Sequence, residues 1–256
     1  MMTLNSKKVL VLGGMREGEE LTGMLRDRHG IDTILVRPPN LRNETLTQPA
    51  LHLMLERRSD LTDLMRGVSA VVVAAHPYSA RFAEVCAEVA AELGLPCLRL
   101  LREPWRPGAS DRWIPVDTPR AAVSEVMRAG YQRPFVCLGS DQIEPFSRLR
   151  GRTVVFRVPE GGRRPDIGFG RLLTASAEVS VVSETALMRK HQIDVLVTRN
   201  LGGTGGWPKL LAARALDIPV VMLRRPKLKD VEHRATAEEA LGWVESVLAP
   251  EPSVMA

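Results

Sequence analysis

Four glycines and a lysine crowd the segment "NLGGTGGWPK", Asn200 to Lys209. Gly202, Gly203, Gly205 and Gly206 strip side chains from the backbone, whose amides can then cradle an anion, and Lys209 puts a point charge near the start of the following helix. Arg199, just upstream, adds a planar fork suited to carboxylates and phosphates. The plainer alternative is a flexible loop with a solvated lysine. A second candidate is "VLGGMREGEEL", where Gly13 and Gly14 allow a tight turn and the amides at the next helix's start can face a phosphate. Its spacing departs from the usual dinucleotide fingerprint. Gly13 and Gly18 are spaced as in an ATP-binding loop, yet Glu19 stands where that loop's lysine must be. A purely structural strand-to-helix turn is the competing reading. The third candidate is "AAHPYSAR", in which Pro77 forces an abrupt exit from a strand and His76 offers an imidazole at the strand's carboxyl end. A lone histidine there is more often a hydrogen-bonded structural residue.

All three loops leave apolar, β-branched runs and lead into helical patterns. "KKVLVL" precedes the first, "VSAVVVAA" the second and "DVLVTRN" the third. "VSAVVVAA" is apolar on successive residues, as in a strand covered on both faces of a parallel sheet. "SARFAEVCAEVAAELG" reads as a helix with Ser79 at its N-cap and Gly94 just past its end. "PKLLAARALD" and "ATAEEALGWVESVLA" read as helices, the latter terminal and amphipathic, followed by a frayed "PEPSVMA". Strands alternate with helices in two cycles, the second starting at "PFVCLG", which predicts two doubly wound α/β domains, 1–130 and 131–256. Ligands of such sheets sit beyond the carboxyl ends of the strands, where all three loops fall.

The 256 residues carry a net charge of +5, drawn mostly from arginine. That allows an anionic ligand. The arginines are scattered and not interleaved with aromatics, which argues against nucleic acid. Cys86, Cys97 and Cys137 have no metal-ligand spacing and lie in apolar runs, so they read as reduced core residues, with no metal site implied. No apolar run has the length of a membrane span and "MMTLNSKK" lacks signal-peptide regions, so a cytoplasmic protein is expected.

With these loops in view, the sequence resembles the CobK/CbiJ family of precorrin-6A reductases. "AAHPYSARFAEVCAEVAAELGLPCLRLLREPW" is similar to the family's Ala-Thr-His-Pro-Phe/Tyr-Ala segment, its helix and the strand ending in Arg-Pro-x-Trp. "IDVLVTRNLGGTGGWPKLLAARALDIPVVMLRRP" is similar to the family's glycine loop with its downstream lysine and closing Arg-Pro, and "VLGGMREG" to its Gly-Gly-Thr-x-Glu turn. The order of elements matches over most of the chain. The resemblance implies two Rossmann-like, doubly wound parallel-sheet domains with a cleft between them, a bound NADPH (or NADH), and reduction of one double bond of a polycarboxylate tetrapyrrole in cobalamin biosynthesis. Other corrin-pathway enzymes are candidate contacts. Gly13, Gly14, Met15 and Arg16 would meet the pyrophosphate, mainly through amides, and Arg37 a 2′-phosphate. His76 would orient substrate or relay a proton. Asn200, Gly202, Gly203 and Lys209 would act from the second domain. Met15, Arg199 and Leu201 stand where the family has threonine, lysine and serine, "RPPN" (37–40) replaces its Ala-Gly-Arg, and "TASA" (174–177) its Gly-Pro-Phe. These swaps keep a second reading in play, a non-catalytic tetrapyrrole- or nucleotide-binding protein of the same fold, and a more remote third, a sugar-nucleotide or phosphate-ligand enzyme.

Overall fold

The computed structural model describes residues 7–29, 31–37, 49–52, 57–158, 167–174, 179–227 and 231–249. The expected "PEPSVMA" tail, and positions 38–40 and 175–177 of the family comparison, lie outside these residues. Along the chain the elements are β1 (Lys8–Leu12), α1 (Arg16–His29), β2 (Asp32–Arg37), β3 (Leu51–His52), α2 (Arg58–Met65), β4 (Ala70–Val73), α3 (Ala80–Glu92) and β5 (Cys97–Leu100). There follow β6 (Trp113–Val116), α4 (Pro119–Arg128), β7 (Pro134–Cys137), two short 3-10 turns (Ser140–Gln142 and Glu144–Leu149), β8 (Val155–Val158), β9 (Arg171–Thr174), α5 (Val181–Lys190), β10 (Val195–Arg199), α6 (Trp207–Ala215), β11 (Val220–Leu223), β12 (His233–Arg234) and α7 (Ala237–Leu248).

The chain forms two compact units, one of Met1–Arg102 with Lys227–Ala256, the other of Glu103–Pro226. The first has the sheet β12-β5-β4-β1-β2-β3, the second β6-β11-β10-β7-β8-β9, and every described pairing is parallel. Within each unit, five strands follow the doubly wound order in which the sheet grows one way from its first strand and then reverses. The sixth strand of the first unit follows the whole of the second unit in sequence, whereas that of the second unit opens its own continuous segment, ahead of the other five. β12 joins β5 through His233↔Arg99 and Arg234↔Leu100, while β6 joins β11 from Trp113↔Val220 to Val116↔Leu223.

This corrects the division at residue 130. β6 and α4, expected to close the first domain, belong to the second unit, and α7, expected to close the second, belongs to the first. The reason is pairing between distant segments, which no local pattern records. α7 buries Ala237, Ala240, Trp243, Val244 and Leu248 against Val9, Val11, Val72, Leu98 and Leu100.

β4 shows why a continuous apolar run means a central strand. Its alternate residues face opposite layers. Ala70 and Val72 join the side covered by α1 and α7, while Val71 and Val73 join that of α2 and α3. Helix ends follow local chemistry. Thr118 Oγ1 accepts from the Ala121 amide at 3.0 Å ahead of Pro119, and Thr236 and Glu239 form a reciprocal capping box on α7. Gly94 ends α3 at φ +64°, as expected, but Ser79 at its N-cap makes no side-chain capping bond. The three cysteines are free thiols; burial pushes Cys86 up to about 12 and Cys97 to about 11. Among the described residues, no helix is long and apolar enough to cross a membrane.

Candidate functional site

In the first unit the strand order reverses between β1 and β4, and the turn after β1 lies there. Gly13 (φ +131°) is required by contact with the protein itself, since a Cβ would lie 2.2 Å from the Ala74 carbonyl oxygen. Its amide donates to Val36 O at 2.9 Å, and the Met15 amide to Ala74 O at 3.3 Å. These two expected phosphate donors therefore shape the turn. The amides of Gly14, Arg16 and Glu17 make no hydrogen bond among the described residues and are the donors left at the start of α1. A Cβ on Gly18 would come within 2.7 Å of the Ala74 Cβ. Gly18 thus lets α1 pack closely on the end of β4, the role of the third glycine in a dinucleotide fingerprint, at a spacing a pattern match passes over.

Arg37, at the end of β2, was expected to meet a 2′-phosphate. It is instead buried, with Nε and one terminal nitrogen in a two-pronged pair with Glu19, itself 7% exposed. A guanidinium so engaged presents little charge outward. Glu19, the residue that spoils the ATP-loop pattern, is the reason.

His76 leaves the end of β4 next door. Its Nδ1 accepts the Tyr78 amide at 3.2 Å, which puts the neutral ring's proton on Nε2. Arg99, 1% exposed on β5, donates to the carbonyls of Ala75 at 2.9 Å and His76 at 3.2 Å, with Val73 at 3.5 Å. A buried cation thus holds the strand end that carries His76, and sequence reading missed it because an arginine inside a strand pattern looks like an exposed alternate.

In the second unit the order reverses between β7 and β10, and the glycine loop leaves β10. Gly202 and Gly203 both have left-handed φ, +69° and +65°. Trp105 anchors the loop, its Nε1 donating to Gly203 O at 2.7 Å. Asn200 was expected to touch a ligand. Its amide is spent on Trp105, accepting from its N–H and donating to its carbonyl, both at 2.8 Å. Gly206 makes room inward, for a Cβ there would lie 2.6 Å from the Trp105 ring and 2.9 Å from Lys209 Nζ. Lys209, in the first turn of α6, folds beneath the loop, with its ammonium 5.7 Å from the Trp105 ring centroid.

Lys209 is 9% exposed and makes no hydrogen bond or ion pair among the described residues. Burial pulls its pKa below the usual lysine value. Cys137 and Glu184 work against that shift, while Arg157 and Arg199 add to it. Arg157 is matched by a two-pronged pair with Glu184, whose Oε1 is 2.5 Å from Nη1, and stacks 4.7 Å over Phe135. The result is an excess of positive charge at a switch point, a chemistry suited to a carboxylate or phosphate. Among the described residues no group of His, Cys, Asp and Glu is placed to hold a metal ion.

Comparison with known proteins extends this picture. A sequence model of the family described as "Precorrin-6x reductase CbiJ/CobK" matches residues 8–245. A precorrin-6A reductase of Rhodococcus erythropolis is 32% identical over 244 residues, covering 93% of this chain and 97% of its own. One of Mycobacterium tuberculosis (strain ATCC 25618 / H37Rv) is 34% identical over 245 residues, covering 89% and 95%. The solved structure titled "CobK precorrin-6A reductase" superposes with a TM-score of 0.84 at 28% identity, covering 97% of this chain and 100% of the other.

Proposed function

The chain belongs to the precorrin-6x reductase CbiJ/CobK family, and from that premise we propose that it reduces one double bond of a precorrin-type tetrapyrrole, precorrin-6A or its cobalt form, in cobalamin biosynthesis. The reductant is a reduced nicotinamide dinucleotide, NADPH in our reading with NADH as the alternative, and the setting is the cytoplasm. One observation carries the proposal beyond family membership. The glycine turn, with three amides that make no hydrogen bond among the described residues, sits where the first sheet reverses its order, the position at which doubly wound folds take a dinucleotide.

The residues present suit that cofactor. Gly14, Arg16 and Glu17 would hold the pyrophosphate through their amides, with Gly13 and Met15 shaping the turn. A reduced nicotinamide supplies the hydride when bound. The chain's own residues bind and orient the substrate and deliver a proton to the carbon adjacent to the one reduced. His76, its Nδ1 tied to Tyr78, holds a proton at Nε2 and is held in place by Arg99. Lys209 has an ammonium whose lowered pKa eases proton release, and its charge matches the carboxylates that fringe the macrocycle. Gly202 and Gly203 keep the loop over it free of side chains.

The test is anaerobic incubation of the purified protein with precorrin-6A and either nucleotide, following loss of reduced-nicotinamide absorbance and two-electron reduction of the macrocycle. Folded protein that turns over with neither nucleotide overturns the reading. The rival, a non-catalytic binder of the same fold, draws support from the engagement of Arg37 and Asn200 by internal partners. It predicts tetrapyrrole binding without measurable nucleotide affinity.

A further inference from the structure

The first turns of α1 carry three carboxylates, on Glu17, Glu19 and Glu20, where the proposed reading needs an anionic diphosphate. Carboxylates there suit the positive end of the helix, and for that reason compete with any ligand drawn to it. Each of the three is matched by an arginine. Arg37, from the end of β2, holds Glu19 in the buried pair. Arg16 holds Glu20 at 2.8 Å on an exposed edge. Arg102, just past β5, reaches Glu17, with Nε 3.2 Å from Oε1 and a terminal nitrogen 3.5 Å from the Met15 sulfur. The Glu17 and Arg102 side chains are only 17% and 18% exposed, so water screens them weakly.

Glu17 differs from the other two. Its own amide is one of the three that make no hydrogen bond among the described residues, so its carboxylate belongs to the same residue as one of the donors that would serve a diphosphate. Unmatched, it would repel that ligand at short range. Burial lowers the Arg102 pKa, an effect opposed by the carboxylates of Glu17 and Glu20 and reinforced by Arg16.

We propose that Arg102 is a positioning residue of the nucleotide site: it neutralises Glu17 and holds its carboxylate aside, making an otherwise acidic turn receptive to the dinucleotide diphosphate. This rests on the proposed function. It also accounts for a turn that keeps its acid, because Glu17 suits the positive helix end while Arg102 offsets its charge toward the diphosphate.

The experiment is equilibrium titration of the full-length protein with NADPH, at low and at moderate salt, for the wild type, R102M, E17Q and the double variant, each checked for folding by thermal melting. Adenosine, which has no phosphate, serves as the uncharged probe. R102M should bind NADPH about tenfold more weakly, E17Q about threefold more tightly with a steeper salt dependence, and the double variant about as well as wild type. Adenosine affinity should not change in any of them. Recovery in the double variant is the outcome a purely structural Arg102 would not give. If the double variant binds as weakly as R102M, or E17Q weakens binding, the inference is overturned. Should R102M fail to fold, E17Q decides alone, tighter binding supporting the inference and unchanged or weaker binding overturning it. A wild type that binds neither NADPH nor NADH sinks the proposed function and this inference together. Variants that break the pattern while the wild type binds sink this inference only.

Discussion

Lys209 is a cation sequestered from water with no carboxylate of its own among the described residues, and such a group costs stability unless a ligand or function compensates. Lys209→Met should therefore raise stability toward denaturant by about 1 kcal/mol while cutting turnover at least about a hundredfold. The pH dependence has a definite sign. The folded-state pKa lies below the unfolded value near 10.5, so between the two the unfolded chain binds more protons and stability rises with pH. The cost is present in full below the folded pKa and fades as pH climbs toward 10.5. The stability gap between wild type and Lys209→Met should close over that range in parallel urea titrations; a gap constant with pH would show that Lys209 binds its proton equally in the native and the unfolded chain, and would contradict the lowered value. His76→Asn, by contrast, should lower kcat in the same turnover assay.

The turns between strands and helices are held by backbone approaches that tolerate no added atom. Gly13→Ala would drive a Cβ into the Ala74 carbonyl at a φ few L-residues adopt, so a loss of at least about 3 kcal/mol is expected by chemical denaturation, with nucleotide affinity falling too. In the second unit, Asp111 ties the segment before β6 to α6 through Arg214 at 2.9 and 2.8 Å and accepts the Gly108 amide at 2.7 Å. The Arg214 guanidinium holds the Asp111 carboxyl below its ordinary value near 3.8. That contribution is complete above 3.8 and is lost as pH falls through the depressed value, so Asp111→Asn should destabilise by about 1–3 kcal/mol at neutral pH and much less in strong acid.

At the scale of the whole molecule, each unit depends on chain that lies outside its own run of five strands. A polypeptide ending at Pro226 lacks β12 and α7, leaving Val9, Val11, Val72, Leu98 and Leu100 without the cover of Trp243, Val244 and Leu248. Its first unit should lose cooperative unfolding in scanning calorimetry, whereas residues 103–226 expressed alone should keep a cooperative transition. Equal behaviour of the two would contradict the division described here. The same feature marks how far local reading reaches. Composition, the apolar periods and the glycine turns were sufficient for the α/β class, for nearly every long element and for three strand-end loops, because hydrophobic burial and backbone sterics act over a few residues. Two-residue strands such as β3 and β12 leave no period to detect. That Arg37 pairs with Glu19, that Asn200 bonds to Trp105, and which unit owns β6 and α7 became visible only in the tertiary structure. Charge pairing and edge-strand pairing join residues far apart in the chain, and their partners become known only once the backbone has brought them together.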